Sequence, residues 1–170
     1  YIPGKGHILA LQALTLLHQR GYSPHLFFNG STMGRHSNQR YLTNLKTYAI
    51  IHNISHLVEF GPYIPLSSSS FRSSLASLSL STQEALSMSV LESSAHSVPV
   101  ISTRSGGPEE IIINDVTGCL LSDPSASCLA NTMQRFLDNP VLSSELGACA
   151  REHVKIVFNK EHYRKFLYSI

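Results

Sequence analysis

Ser81-Thr-Gln-Glu84-Ala-Leu-Ser-Met-Ser-Val-Leu-Glu92-Ser-Ser-Ala-His96-Ser-Val-Pro-Val-Ile-Ser-Thr-Arg-Ser-Gly106-Gly107-Pro-Glu109-Glu110-Ile-Ile112 is the stretch whose reading decides the fold. Its order is strand end, acidic loop, helix, buried strand, glycine turn and a second helix start. Strands alternating with helices build a parallel sheet covered by those helices. Open sheets of this kind take ligands at the carboxyl ends of their strands. Glu84, Glu92, Glu110 and the pair Gly106-Gly107 all fall where such a unit turns.

Working outward, residues 8–18 carry apolar side chains at Ile8, Leu11, Leu14 and Leu17, a helical period that Gly21 stops. Residues 25–28 form a short apolar strand ended by Asn29-Gly30. Residues 38–52 return to helical spacing, and 56–61 are a second strand with a glycine stop. Residues 67–81 are serine-heavy, a composition shared with linkers. Leu75, Leu78 and Leu80, uninterrupted by Gly or Pro, favour a strand over 75–81. Downstream come a helix at 87–96, a strand at 99–102, a helical turn at 109–113 and a strand at 118–121. Helices at 125–137, 141–157 and 159–168 follow, their starts marked by Asp123-Pro124, Asn139-Pro140 and Asn159. The fold class is α/β: a Rossmann-like parallel sheet, right-handed crossovers, helices on both faces and helices at the C-terminal end. No internal repeat is visible.

Composition narrows the function. A length of 170 residues fits one domain of ordinary size with a real core, and 42% hydrophobic content is globular. A formal charge of +2 is too mild for nucleic acid, which calls for a clustered basic face. No apolar run reaches the length of a membrane span. Cys119, Cys128 and Cys149 are odd in number and widely spaced, and read as free thiols in a reducing compartment. Asn29-Gly30-Ser31 and Asn53-Ile54-Ser55 match the glycosylation acceptor pattern by chance. The opening Tyr1-Ile-Pro-Gly-Lys-Gly reads as part of something longer.

Chemistry concentrates at three places. Glu84 and Glu92, eight residues apart, would lie about 80° apart on one continuous helix. Placing Glu84 in the loop and starting the helix near Ser87 turns both toward one crevice, where helix-start amides attract an anion. Two carboxylates there are poor phosphate ligands but good acceptors for sugar or ribose hydroxyls; the plainer alternative is a pair of solvated helix-end charges. Gly106-Gly107 permits close backbone approach by a ligand, or is an ordinary strand-to-helix turn. Lys5, between Gly4 and Gly6 at the mouth of the first helix, suits a phosphate, or is a surface lysine; the full P-loop spacing is missing. His96 reads as a C-terminal cap sooner than as a base, and His7 and His153 carry no partner signal.

Taken together, these pieces resemble the C-terminal, donor-binding half of the family 4 (group 1) glycosyltransferases, which have the two-domain GT-B architecture. Lys5-Gly6, the strands at 25–30 and 57–61, Glu84-x7-Glu92, Pro99-Val-Ile, Gly106-Gly107-x-x-Glu110 and Thr117-Gly118 occur in the family's order over nearly the whole chain. The resemblance implies a nucleotide-diphosphate sugar as donor and no further cofactor or metal. Lys5 would neutralise the diphosphate, Glu84 hold the hydroxyls of the transferred sugar, and Glu92 those of the ribose. Ser87, Met88, Val90 and Leu91 would meet phosphate or sugar at the helix start. Gly106 and Gly107 would leave room beside the donor, with Glu110 nearby, and residues 60–63 would lie near the base. The reaction implied is glycosyl transfer with retention to a saccharide or lipid-linked acceptor, in the polysaccharide or lipid glycosylation of a cytoplasmic protein at the inner face of a membrane. An N-terminal acceptor domain and the first strand of this domain would lie upstream of Tyr1, so the piece alone is expected to be inactive. Two departures stand out: Leu86-Ser87 replaces the family's Phe-Gly, and Ser97 occupies a usual glycine position. They keep a non-catalytic binding relative open, and a nucleotide-sugar epimerase is the third reading.

Overall fold

The structure, a computed structural model, describes residues 1–65 and 68–159. Its strands are β1 (Leu26–Asn29), β2 (Val58–Gly61), β3 (Ser77–Ser79), β4 (Val100–Ser102) and β5 (Gly118–Leu120). The helices are α1 (His7–Gln19), α2 (His36–Ile51), α3 (Ser69–Arg72), α4 (Met88–Ala95), α5 (Gly107–Ile111), α6 (Ala126–Asp138) and α7 (Pro140–Val157). Every strand pairing is parallel, as the alternating sequence demands. The helix expected over 159–168 lies, beyond Asn159, outside the described residues.

Pairing falls into two groups, β1-β2 and β3-β4-β5. Strand periodicity explains how the second group is covered. Ile101 and Cys119 join Leu129, Ala130 and Phe136 of α6 and Ala10, Ala13 and Leu17 of α1 on one face. Val100 and the partly buried Leu120, one residue away, turn to the other face with Val90 of α4, Ile111 and Ile112. Helices therefore cover both faces here, as expected. The β1-β2 pair is different: its inner side chains Leu26, Phe28 and Phe60 pack toward α1 and α2, while Phe27 on the opposite side is 56% exposed.

Helix α1 joins the two groups. Ala10, Ala13 and Leu17 belong to the core above β3–β5, and Leu11 and Leu14 to the core above β1-β2. Leu26, Phe28 and Leu78 lie at the edge of the same apolar cluster. Yet β1 pairs only with β2, and β3 only with β4, so each keeps one edge without a strand partner among the described residues.

Three helices end in the same way. The residue after the cap turns left-handed, and two backbone bonds close the last turn. Gly21 does this after α1 (φ 89°), Asn53 after α2 (φ 56°) and Ser97 after α4 (φ 62°). At the last, Ser97 N–H donates to Ser94 and Val98 N–H to Ser93, each at 3.0 Å. Glycine enters this conformation freely, asparagine tolerates it, and serine has no such ease. Gly147 of α7 then packs on the turn, where an added Cβ would stand 2.1 Å from the Ser97 carbonyl oxygen.

Two sequence expectations shift. Residues 69–72, read as part of a serine-rich run, form α3, capped by Ser68 accepting from Phe71 N–H. Strand β3 covers only Ser77–Ser79; at its end Ser102 Oγ and Thr103 N–H donate to the Ser79 carbonyl and Thr103 Oγ1 to that of Ser81. His56 and Leu57, read as strand, belong to the 3-10 turn Ser55–Leu57 that buries Leu57 before β2 begins. The cysteines are all free, with Cys119 buried.

Replacing Ser97 with glycine relieves the left-handed penalty while keeping both turn bonds. Ser97→Gly is expected to raise folding stability by about 1 kcal/mol, read as a higher denaturant midpoint with an unchanged slope.

Candidate functional site

The site is assembled from segments far apart in sequence. The 3-10 turn Pro3–Lys5 leads into α1 through Gly6, which has φ 72°. A Cβ on Gly6 would lie 2.2 Å from the Leu80 carbonyl oxygen, so only glycine lets the start of α1 abut the end of β3. Thr82 N–H donates to the Gly4 carbonyl at 3.1 Å, tying the same two segments. Lys5 is thereby brought to the loop after β3, where its ammonium pairs with Glu84 Oε1. Ser81 Oγ donates to that same oxygen at 2.8 Å.

That loop is clamped from the other side. Glu84 N–H donates to the Ser105 carbonyl at 2.9 Å, and Gly107 N–H donates to the Glu84 carbonyl at 2.7 Å. A Cβ on Gly106 (φ 108°) would stand 2.8 Å from the Glu84 carbonyl oxygen, and one on Gly107 2.9 Å from that of Ala85. The close approach these glycines permit is thus to the Glu84–Leu86 backbone. Their amides are committed too: Gly106 N–H donates to Glu109 Oε2 at 2.9 Å, which also accepts from Ser105 N–H at 3.1 Å.

Glu84 stands in the loop and Glu92 on α4, the division that helix geometry anticipates. Ser87 precedes α4 with φ −88° and ψ 89°, a backbone that does not call for glycine. Its hydroxyl turns inward, 3.5 Å from Ser79 Oγ, and the residue is buried. The departure from glycine at this position leaves the loop undistorted. Met88 is exposed, as are Leu86, Glu92 and Glu110. Val90 and Leu91 face the core. Val90 is fully buried against Val100 and Ile111, Leu91 packs at the edge of that cluster, and both amides donate to the Ser87 carbonyl. Their position one turn into α4 puts those side chains on its core face.

The charges are coupled. The hydrogen bond from Lys5 holds the Glu84 carboxyl below the usual carboxylate range; partial burial opposes this and the Ser81 hydroxyl adds to it. His7, the first residue of α1, sits among aromatic rings, 5.5 Å from Tyr1, 5.4 Å from Phe28 and 5.8 Å from Tyr41. Burial, with the nearby positive charge of Lys5, lowers its pKa. The residue next to Lys5-Gly6 is therefore neutral near pH 7. His96 caps the far end of α4, away from this site.

Two contributors escaped the sequence reading. Ser81 reads in sequence only as a strand end. Glu109, not Glu110, holds the third helical position, where a carboxylate reaches back to the N-cap amide.

A cation, a carboxylate and a helix start gathered at the carboxyl ends of parallel strands define a class, the open α/β domains that take ligands at that edge. The chain belongs to the group 1 glycosyl transferases, whose family model matches residues 1–153. It is 29% identical over 177 residues to the human alpha-1,3/1,6-mannosyltransferase ALG2, covering 96% of this chain and 41% of that protein. Anabaena Alr3699/HepE, solved in complex with UDP, superposes with a TM-score of 0.86 at 17% identity, over 99% of this chain and 46% of that one. The C-terminal domain of the group 1 protein LpcC from Francisella tularensis superposes with a TM-score of 0.79 at 16% identity, covering 94% of this chain and 83% of that domain. The chain therefore spans less than half the length of full-length proteins it matches, and it shares the fold of GT-B glycosyltransferases.

If Lys5 sets the acidity of Glu84, removing the ammonium must release it. In a carbon NMR titration the Glu84 carboxyl midpoint is expected to move up in Lys5→Ala. An unmoved midpoint would show the pair to be electrostatically idle.

Proposed function

We propose that this chain is the donor-binding half of a retaining glycosyltransferase, which binds a nucleotide-diphosphate sugar and transfers its glycosyl group to an acceptor hydroxyl. The observation that carries this reading is the ion pair between Lys5 and Glu84, 79 residues apart, at the carboxyl ends of the strands. Such a pair puts a cation for a diphosphate next to a carboxylate for sugar hydroxyls. Human ALG2 is named a mannosyltransferase and HepE was solved with UDP, which supports a nucleotide-sugar donor.

In this reading, Lys5 shifts from Glu84 to the diphosphate as the donor enters, and the α4 N-terminus adds its dipole. Charge on the leaving group is met by these two without a metal ion. Glu84, freed of the ammonium but still held by Ser81, accepts from hydroxyls of the transferred sugar. Glu92 accepts from the ribose, and residues 60–63 lie beside the base. Gly106, Gly107 and Glu109 keep the loop in place, and Met88 and Leu86 border the sugar. A preceding strand fills the space between the unpaired edges of β1 and β3, continuous with an N-terminal domain that supplies the saccharide or lipid-linked acceptor. The setting is cytoplasmic, at a membrane face; no helix of the described residues is long and apolar enough to cross a membrane.

Transfer assays on the intact protein with UDP-, GDP- and ADP-sugars test the roles. Lys5→Ala and Glu84→Ala are each expected to lower turnover by about a hundredfold or more, the range for losing a group that meets transition-state charge. Unchanged turnover in either variant contradicts the assignment. Nucleotide binding without transfer would point to a non-catalytic module, and product from donor alone to an epimerase.

A further inference from the structure

A second polar concavity lies at the opposite end of the sheet. It has a volume of about 420 Å³ and is lined by Ser69, Arg72, Ser73, His96, Ser97 and Arg151. The lining joins α3, the turn between α4 and β4, and α7. Of these, α3 precedes β3 and the turn precedes β4, so the concavity borders the amino ends of those strands, whereas Lys5 and Glu84 stand at the carboxyl ends. The usual ligand edge of an α/β sheet does not account for it.

Its chemistry is one-sided. Two guanidinium groups, one imidazole and three hydroxyls line it, with no carboxylate among them. Neither Arg72 nor Arg151 forms an ion pair among the described residues, whereas Lys5, Arg135 and Lys155 each have a carboxylate partner. The nearest acidic neighbour of Arg151 in sequence, Glu152, hydrogen-bonds to Lys155 and feels the Arg151 charge only as a weaker, through-space attraction. Like charges facing one volume repel unless an anion sits between them, and guanidinium forks match phosphate oxygens in geometry as well as charge. The Ser69 and Ser97 hydroxyls can add neutral donors to the same oxygens, whereas that of Ser73 donates to the Ser70 carbonyl at 3.0 Å. The carbonyl end of α4 disfavours an anion at His96 itself, which leaves the two arginines and Ser69 of α3 as the anchoring groups. The volume is several times that of a bare oxyanion, so there is room for whatever carries the phosphate.

We infer that this concavity is a second ligand site, independent of the donor site, that binds a phosphomonoester through Arg72 and Arg151. The ester is borne either by a small soluble molecule or by a lipid headgroup. Amide NMR on the intact protein tests this with two probes, inorganic phosphate and phosphatidylcholine vesicles containing phosphatidic acid. Expected are shifts or broadening at Ser73 and Ser97 with at least one probe, retained in Lys5→Ala and reduced at least tenfold in apparent affinity in the double variant Arg72→Ala/Arg151→Ala. Both arginines are exposed, so a thermal melt is expected to show the double variant folded, with glycosyl transfer intact. Response to phosphate identifies a soluble ligand, and response to vesicles alone identifies the headgroup. No arginine-dependent response to either probe, or a response abolished by Lys5→Ala, overturns the inference. Arg72→Lys/Arg151→Lys gives a second check, since it keeps the charge and is expected to recover only part of the binding.

Discussion

Two backbone hydrogen bonds, Glu84 N–H to Ser105 and Gly107 N–H to Glu84, hold the loop after β3 against the turn after β4. The rest of the site depends on them. They fix where Glu84 points, and therefore where Lys5 meets it. They also set the direction in which the chain enters α4. Both bonds require the backbones to approach more closely than a Cβ allows, which is why glycines stand at 106 and 107. Glu109 completes the clamp by accepting from the two amides that precede its helix. A family signature that looks like a ligand loop in sequence is, in this chain, first a device for positioning another loop.

Much of the fold was legible before the structure. Apolar spacing located α1, α2, α4, α6 and α7 to within a residue or two. Glycine, asparagine and proline punctuation located their ends. The short α3 was not legible because its helix is a single turn set by a serine cap, with no apolar face to reveal it. The division of strands into two groups was equally hidden. Hydrophobic runs report that a strand is buried but not which strand lies beside it.

For the site, spacing placed Glu84 in the loop and Glu92 on the helix, and family order brought in Lys5. Val90 and Leu91 turn toward the core, a facing hidden in the sequence, which marks a helix start without showing which face turns inward. The two substitutions that raised doubt separate cleanly. Ser87 occupies ordinary backbone space and buries its hydroxyl beside Ser79. Ser97 carries left-handed strain, but at the far end of α4, where it borders the arginine-lined concavity and not the donor edge. Neither one gives a physical reason for a disabled donor site.

The most direct measurement is the affinity of the intact protein for nucleoside diphosphates, UDP, GDP and ADP in turn, by calorimetry in three forms. Gly106→Ala adds a Cβ that meets Glu84, whereas Gly30→Ala adds one in open space. For the diphosphate that binds best, the clamp account predicts a loss of about tenfold or more in folded Gly106→Ala, equivalent to at least ~1.4 kcal/mol, and no change in Gly30→Ala. A folded Gly106→Ala protein that binds as tightly as the parent would contradict it.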